Sequence, residues 1–240
     1  MTTPDLHLRV ASYNIHECVG GDGARDPARI AAVLREIDAD VVGLQEVDAR
    51  PSATSASMQM QYLASTLGYH AVSGPTLVRA GGEYGNALLT RRPVLDVRQI
   101  DLTVYRREPR GALDVDLDVE GTSVRVVVTH LGLLPGERRK QVRRLLDLLG
   151  DGGRRAEVVV LCGDINEWFA VGRPLRWLHA RLGRTAGLPT FPAAFPVFAL
   201  DRIWVHPHTA LVTMAPHASA AARQASDHLP LTADIRIASS

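Results

Sequence analysis

Nine polar residues of this chain fall where apolar runs stop: Asn14, Glu46, Asn86, His130, Asp164, Asn166, Asp201, Asp227 and His228. Carboxylates are hard oxygen ligands of the kind Mg²⁺ takes, one or two at a time, with several waters retained. Histidines move protons or contact phosphate near neutral pH. Asparagines orient a phosphate or a water without adding charge. Together they equip a site for metal-assisted phosphoester hydrolysis. Taken singly, each has a plainer use. Asn14 and Asn86 suit turns, Glu46 a surface, His130 a strand cap, and Asp201 an ion pair with Arg202.

The elements that would carry these residues alternate between strand and helix. Val158 to Leu161 is apolar and mostly β-branched, a buried strand. Gly163 turns the chain, and Asp164 and Asn166 follow. Residues two apart on a strand share a face, so these two are expected to project together. Leu8–Asn14 and Asp40–Val47 read as strands around a helix that starts at Asp26-Pro27, with Asp as N-cap and Pro first. That unit points to an α/β protein. A 51–57 loop leads to a helix over 58–67, then short strands near 69–72, 85–90 and 94–101. Leu113–Val119 alternates with aspartates, as a strand with one wet face does. Glu120-Gly121 marks a turn, and Ser123–His130 is a Val-rich strand. A helix is expected over 135–149, with Val142, Leu145, Leu146 and Leu149 inward and Arg138, Arg139, Arg143 and Arg144 solvated. A short helix follows over 174–182, then a Phe/Pro loop at 187–199. Strands near 200–205 and 210–215, an Ala-rich loop and a strand over 231–237 complete the chain.

The bulk numbers narrow the classes. At 240 residues and 46% hydrophobic content the chain can bury a sizeable core. Its net charge of +1 supplies no strong field for a polyanion. Lys140 is the sole lysine. Cys18 and Cys162 make no disulfide framework, and Cys162 is expected to be inert packing. Met1–Arg9 lacks the apolar run of a signal peptide, and no run reaches the roughly 20 residues of a membrane span. A single domain over 1–240 is expected, cytoplasmic, with no stable membrane insertion and no protein partner.

The motifs Tyr13-Asn14-Ile15, Leu44-Gln45-Glu46-Val47, Gly85-Asn86-Ala87, Thr129-His130-Leu131, Gly163-Asp164-Ile165-Asn166, Asp201-Arg202-Ile203 and Ser226-Asp227-His228-Leu229-Pro230 occur in that order. The chain resembles, over about residues 8–237, the endonuclease/exonuclease/phosphatase superfamily. That group includes pancreatic-type deoxyribonuclease, abasic-site endonucleases, bacterial sphingomyelinases and inositol polyphosphate 5-phosphatases. The resemblance implies a four-layer α/β sandwich, two mixed β-sheets packed face to face with helices outside. It implies Glu46 as principal ligand of Mg²⁺, or of Mn²⁺ in its place, with Asn14 and Asp227 near the metal. His228 would be the general base, oriented by Asp201. Asp164 and Asn166 would position water and phosphate. His130 would stabilise phosphate or protonate the leaving group; the abasic-site branch has a tyrosine there. Arg110, Asn86 and His16 are the expected phosphate or substrate contacts. Arg110 reads equally as a turn arginine. Glu83 is a candidate support for His130.

Glu17 stands where related bacterial chains often carry lysine. The leading expectation is a phosphodiesterase acting on a lipid headgroup or small phosphoester. A DNA endonuclease or exonuclease of the same superfamily is the alternative, and a non-catalytic binding module a third. Near-zero charge and the absence of a basic stripe disfavour DNA. The Phe/Pro loop at 190–198 reads either as core packing or as an apolar wall beside Asp201.

Overall fold

The computed structural model describes residues 5–49, 58–79, 82–150 and 156–238. The expected 51–57 loop lies outside them. One sheet has the strand order β10 (Leu211–Pro216), β11 (Leu231–Ile237), β1 (Leu6–Asn14), β2 (Val41–Ala49), β4 (Gly82–Thr90) and β3 (His70–Arg79). The other runs β5 (Val94–Asp101), β6 (Gly111–Val119), β7 (Thr122–His130), β8 (Val158–Asp164) and β9 (Asp201–His206). Both sheets are mixed. β1 and β2 are parallel, as are β7 and β8, and the remaining neighbours are antiparallel.

Period-two patterning sorts the strand residues into layers. Leu8 and Val10 of β1 face Val126 and Val128 of β7 and Val160 and Cys162 of β8 in the core between the sheets. Ala11 and Tyr13 point the other way, to α1 (Pro27–Ile37), α2 (Gln59–Leu67) and α5 (Ala220–Ala225). Val127 and Leu161 point outward from the second sheet to α3 (Pro135–Gly150) and α4 (Arg173–Leu182). The result is the expected four-layer sandwich. Each fully buried Val or Leu contributes about 1.5–3 kcal/mol. The sheets touch at Gly43, where a Cβ would lie 2.9 Å from Cys162 Sγ. Cys162 is buried, and burial pushes its thiol up to about 12, which leaves it inert.

Asp26 caps α1 as expected, accepting from Ala28 N at 2.8 Å with Pro27 behind it. Three expectations need correction. The aspartate face of β6 is not simply wet: Asp114 is fully buried, because Arg125 of β7 reaches across with Nε and Nη2, both at 2.9 Å. Arg138 is not solvated either. It lies one turn before Val142 on the inward stripe of α3 and is buried against Glu167 at 3.3 Å. Finally, the Ala-rich loop contains α5, capped by Ser219, whose Oγ accepts from Ala222 N at 3.1 Å.

Candidate functional site

Strand direction gathers the polar residues at one end of the sandwich. β1 and β2 run side by side, so Asn14 and Glu46 emerge together. β7 and β8 do the same in the other sheet, where His130 pairs with Asp164. β9 begins where β8 stops, Asp201 opposite Asp164. β11 is antiparallel to β1, Ser12 opposite Leu231, so the turn holding Asp227 and His228 lies at that end too.

Local backbone distortions aim the side chains. Register between β2 and β4 shifts between Leu44 and Val47, and Glu46 sits in this bulge with φ 57°. A non-glycine residue held there costs on the order of 1–3 kcal/mol, which surrounding structure must supply. Asn166 has φ 52° and lies past the end of β8. Asp164 and Asn166 therefore converge through a turn rather than through strand alternation, Asn166 N donating to Asp164 Oδ1 at 2.9 Å. Gly163 makes the turn possible: its φ is 145°, and a Cβ would meet Thr129 O at 1.8 Å.

Asn14 joins the two sheets. Its Nδ2 donates to Glu46 Oε1 at 3.0 Å and to Asp164 Oδ2 at 3.2 Å. His228 Nδ1 lies 2.8 Å from Asp201 Oδ2, and its Nε2 faces Asp164 Oδ2 at 3.8 Å. Thr190 Oγ1 donates to the same Asp201 oxygen at 2.6 Å, while Asp201 Oδ1 has no partner among the described residues. Burial opposes charge on His228, but Asp201, then Asp164 and Asp227, outweigh it and push the imidazole up to about 10. Burial first, and Asp201 with it, pushes Asp164 up to about 6 against the pull of His228.

His130 is treated in the opposite way. Arg110 Nη1 lies 3.1 Å from its Nδ1. A guanidinium can only donate, so this contact has Nδ1 accepting and calls for the ring proton on Nε2. Nε2 faces the acceptor Asp164 Oδ2 at 3.4 Å, while the Asn166 carboxamide nitrogen at 3.0 Å, itself a donor, calls on the same atom to accept. Burial, then Arg110 and His228, hold the imidazole well below its usual range. One histidine is thus kept charged and the other neutral.

The other expected residues fall as follows. Asp227 is half-buried, with His16 Nδ1 at 3.8 Å. Asn86 is buried; its Nδ2 donates to Gly111 O at 3.0 Å, next to Arg110, and its Oδ1 has no partner among the described residues. Arg110 is buried, so it is no surface turn residue. Its Nη2 donates to Glu108 at 3.0 Å and its Nε has no partner among the described residues. Glu83 is exposed at the start of β4, and the group on His130 Nδ1 is Arg110 instead. Glu17 is bound by Arg25, which also holds Asp48 at 2.6 Å.

Several contributors escape a sequence reading. Thr190 fixes Asp201 from inside the Phe/Pro loop. Ser226 Oγ donates to Asn14 O at 2.8 Å, though its place beside Asp227-His228 was a signal. Arg138 clamps two site loops, reaching Leu133 O at 2.5 Å and Glu167; its 138/142/145/149 helical spacing was the available clue. Tyr84, whose phenol burial and then Glu46 push above the ordinary range, gave none.

Asp164, Asp201 and His228 offer ligand atoms within 4.8 Å of one another. With His228 Nδ1 committed to Asp201, this trio suits proton transfer better than metal holding. Glu46 and Asp227 offer carboxylate oxygens; among the described residues Glu46 is met by the neutral Asn14 amide nitrogen, while Asn14 Oδ1 accepts from His16 N at 3.1 Å. That surplus of negative charge fits a hard divalent cation.

The Endonuclease/Exonuclease/phosphatase family model matches residues 11–228. The uncharacterised Escherichia coli protein YbhP is 30% identical over 98% of each chain. An endonuclease/exonuclease/phosphatase structure from Beutenbergia cavernae has TM-score 0.78 at 29% identity, covering 97% of this chain and 72% of that one. A mannosyl-6-phosphatase of Bacteroides thetaiotaomicron has TM-score 0.72 at 19% identity, covering 94% and 98%, a likeness of fold alone. The match spans the polar residues from Asn14 to His228, and the chain belongs to the endonuclease/exonuclease/phosphatase family.

Proposed function

We propose that this protein is a Mg²⁺-dependent phosphoesterase, with Mn²⁺ an effective substitute, that hydrolyses a phosphodiester by in-line attack of water. The favoured substrates are a lipid headgroup or a small phosphoester. The observation that carries the reading is the Asp201–His228 pair aimed at Asp164, opposite a neutral His130 backed by Arg110.

Asp201 bonds Nδ1 of His228 and leaves Nε2 facing Asp164, where it takes a proton from the attacking water. Asp164, within reach of both histidines, and Asn166 position that water and the phosphate. His130 keeps its proton on Nε2 and donates it as a hydrogen bond to a phosphate or leaving-group oxygen. Arg110, with Nε free among the described residues, adds positive charge at the phosphate. Glu46, with Asn14 and Asp227, would hold the metal, which when bound withdraws charge from the phosphate and makes water more acidic. Asp201 first, then Asp164 and Asp227, hold His228 protonated, and a cation beside the last two would offset their share of that charge.

The test is hydrolysis of bis(nitrophenyl) phosphate, nitrophenyl phosphate, phospholipid and supercoiled plasmid with Mg²⁺ or Mn²⁺. Turnover of the diester, lost in His228→Ala, is expected. No turnover of any phosphoester would refute the reading. Preferential plasmid nicking, falling steeply with salt, would replace it with a nuclease.

A further inference from the structure

The loops around the site expose apolar side chains where a soluble rim would be polar. Beyond Asn166, Phe169 is 68% and Val171 80% exposed, with Trp168 partly so. In the Phe/Pro loop Phe195 is 78% exposed, beside exposed Val197 and Phe198. Leu133 and Leu134 follow His130 in the same condition, and Tyr105, before Arg110, is 82% exposed. Contacts make these loops one surface. Trp168 packs edge-on to Phe198 at 4.8 Å and to Phe191 at 5.8 Å, and Phe191 lies against the His228 ring at 4.8 Å. Arg138 ties Leu133 to Glu167, next to Trp168. Arg107 and Glu108 line one depression with Leu133 and Leu134.

Residues 131–136 and 187–200 contain no charged side chain. In 165–172 the one charge, Glu167, is buried on Arg138. What exposed charge the rim has is mostly basic. Arg106 stacks on Tyr105 at 5.2 Å, Arg107 follows, and exposed Arg173 stands just past Val171, against exposed Glu108 and the half-buried Asp227. A contiguous exposed apolar patch marks an interaction surface. Trp, Tyr and Phe beside arginine suit the boundary between acyl chains and anionic headgroups. The 187–200 loop is broken by prolines and forms only one isolated bridge, Phe191 with Phe198, so it gives a peptide no strand edge to extend.

We infer that this rim docks on an anionic phospholipid surface and presents the site to headgroup phosphoesters. The protein then lies on a bilayer and does not cross it; no helix among the described residues is long and apolar enough to span one. The docking stands on the surface alone, and the use made of it rests on the phosphoesterase reading. The test is co-sedimentation of the full chain with phosphatidylglycerol/phosphatidylcholine vesicles and with phosphatidylcholine alone. Wild-type protein should partition onto the anionic vesicles, less so as salt rises. The triple variant Phe169→Ser, Phe195→Ser, Val197→Ser should keep its melting temperature and lose partitioning at least about tenfold. Equal partitioning by the variant overturns the docking. So does a concentration-dependent dimer, abolished in the variant, from protein that ignores vesicles; the patch is then a self-interface. Protein that cleaves a soluble nitrophenyl diester but ignores vesicles overturns the docking and leaves the phosphoesterase standing. Protein that binds vesicles and cleaves nothing supports the docking and overturns the phosphoesterase.

Discussion

Arg125, on β7, and Arg110, just before β6, are both buried arginines, and they are finished differently. Arg125 grips Asp114 with two nitrogens at 2.9 Å and reaches Leu148 O at 3.2 Å. Its partner is wholly inside the protein. Arg110 spends one nitrogen on a histidine and one on the half-exposed Glu108, and its Nε has no partner among the described residues. Asp201 repeats the pattern, with one oxygen doubly bonded and the other without a partner there. A closed pair serves the fold, since removing one member strands a buried charge. An open one keeps hydrogen-bonding capacity for something that arrives. The comparison sets structural polarity against the proposed functional polarity at matched burial, and it can be attacked experimentally.

The largest effect should come from the metal. EDTA should reduce diesterase activity to background and Mg²⁺ or Mn²⁺ should restore it, with the fold and its Arg125–Asp114 pair retained by circular dichroism. Glu46→Gln should fold and lose Mg²⁺ binding by calorimetry. Full activity in EDTA would break the scheme.

Next comes the relay. A general base contributes about 10²–10⁴-fold, so His228→Ala should lose that much in kcat, and Asp201→Asn nearly as much. The double variant should be little worse than the poorer single, because the two act as a unit. A loss below about tenfold for His228→Ala would remove it from the base role.

The two arginine sites should then diverge. Asp114→Ala leaves Arg125 buried without its carboxylate and should cost about 3–5 kcal/mol in denaturant unfolding, with kcat per folded molecule unchanged. Arg110→Gln should do the reverse. Losing a charged hydrogen bond to phosphate, worth about 1.5–3 kcal/mol, lowers kcat/KM about 10- to 100-fold, with a smaller change in unfolding. If Arg110→Gln mainly destabilises, the open pair is only an imperfect structural one.

The smallest effect is expected at a surface pair far simpler than either. The Ser219 hydroxyl, then His217, hold the Glu36 carboxyl below its ordinary value. A depressed carboxylate stabilises the fold above its unfolded pKa, and that gain disappears as pH falls through the folded value. Solvent screening limits it to below about 1 kcal/mol. Glu36→Gln should therefore melt slightly lower at pH 7 and identically in strong acid. A loss as large as that of Asp114→Ala would show that burial is not what separates these pairs.

Much of the molecule was legible before any coordinate. Apolar periodicity placed the strands and helices, Asp26-Pro27 marked the start of α1, and the polar residues after strand ends are the ones the fold gathers into the candidate site. These are local properties: side-chain alternation and capping act within a few residues, so a linear reading captures them. The four layers followed from resemblance, carried by the order of the motifs. What stayed hidden depends on partners far along the chain. Asp114 looked solvent-facing until Arg125 closed over it, and Arg138 looked solvated until Glu167 met it. Asn14 binds Asp164 only because two sheets stack. The bulge that turns Glu46 inward depends on register with β4, and the histidines differ because Arg110 stands on one and Asp201 on the other. Residue types and their order point to the proposed chemistry. Which charge is closed, which is left open and which histidine holds its proton are settled by burial and long-range pairing, which exist only once the sheets have packed.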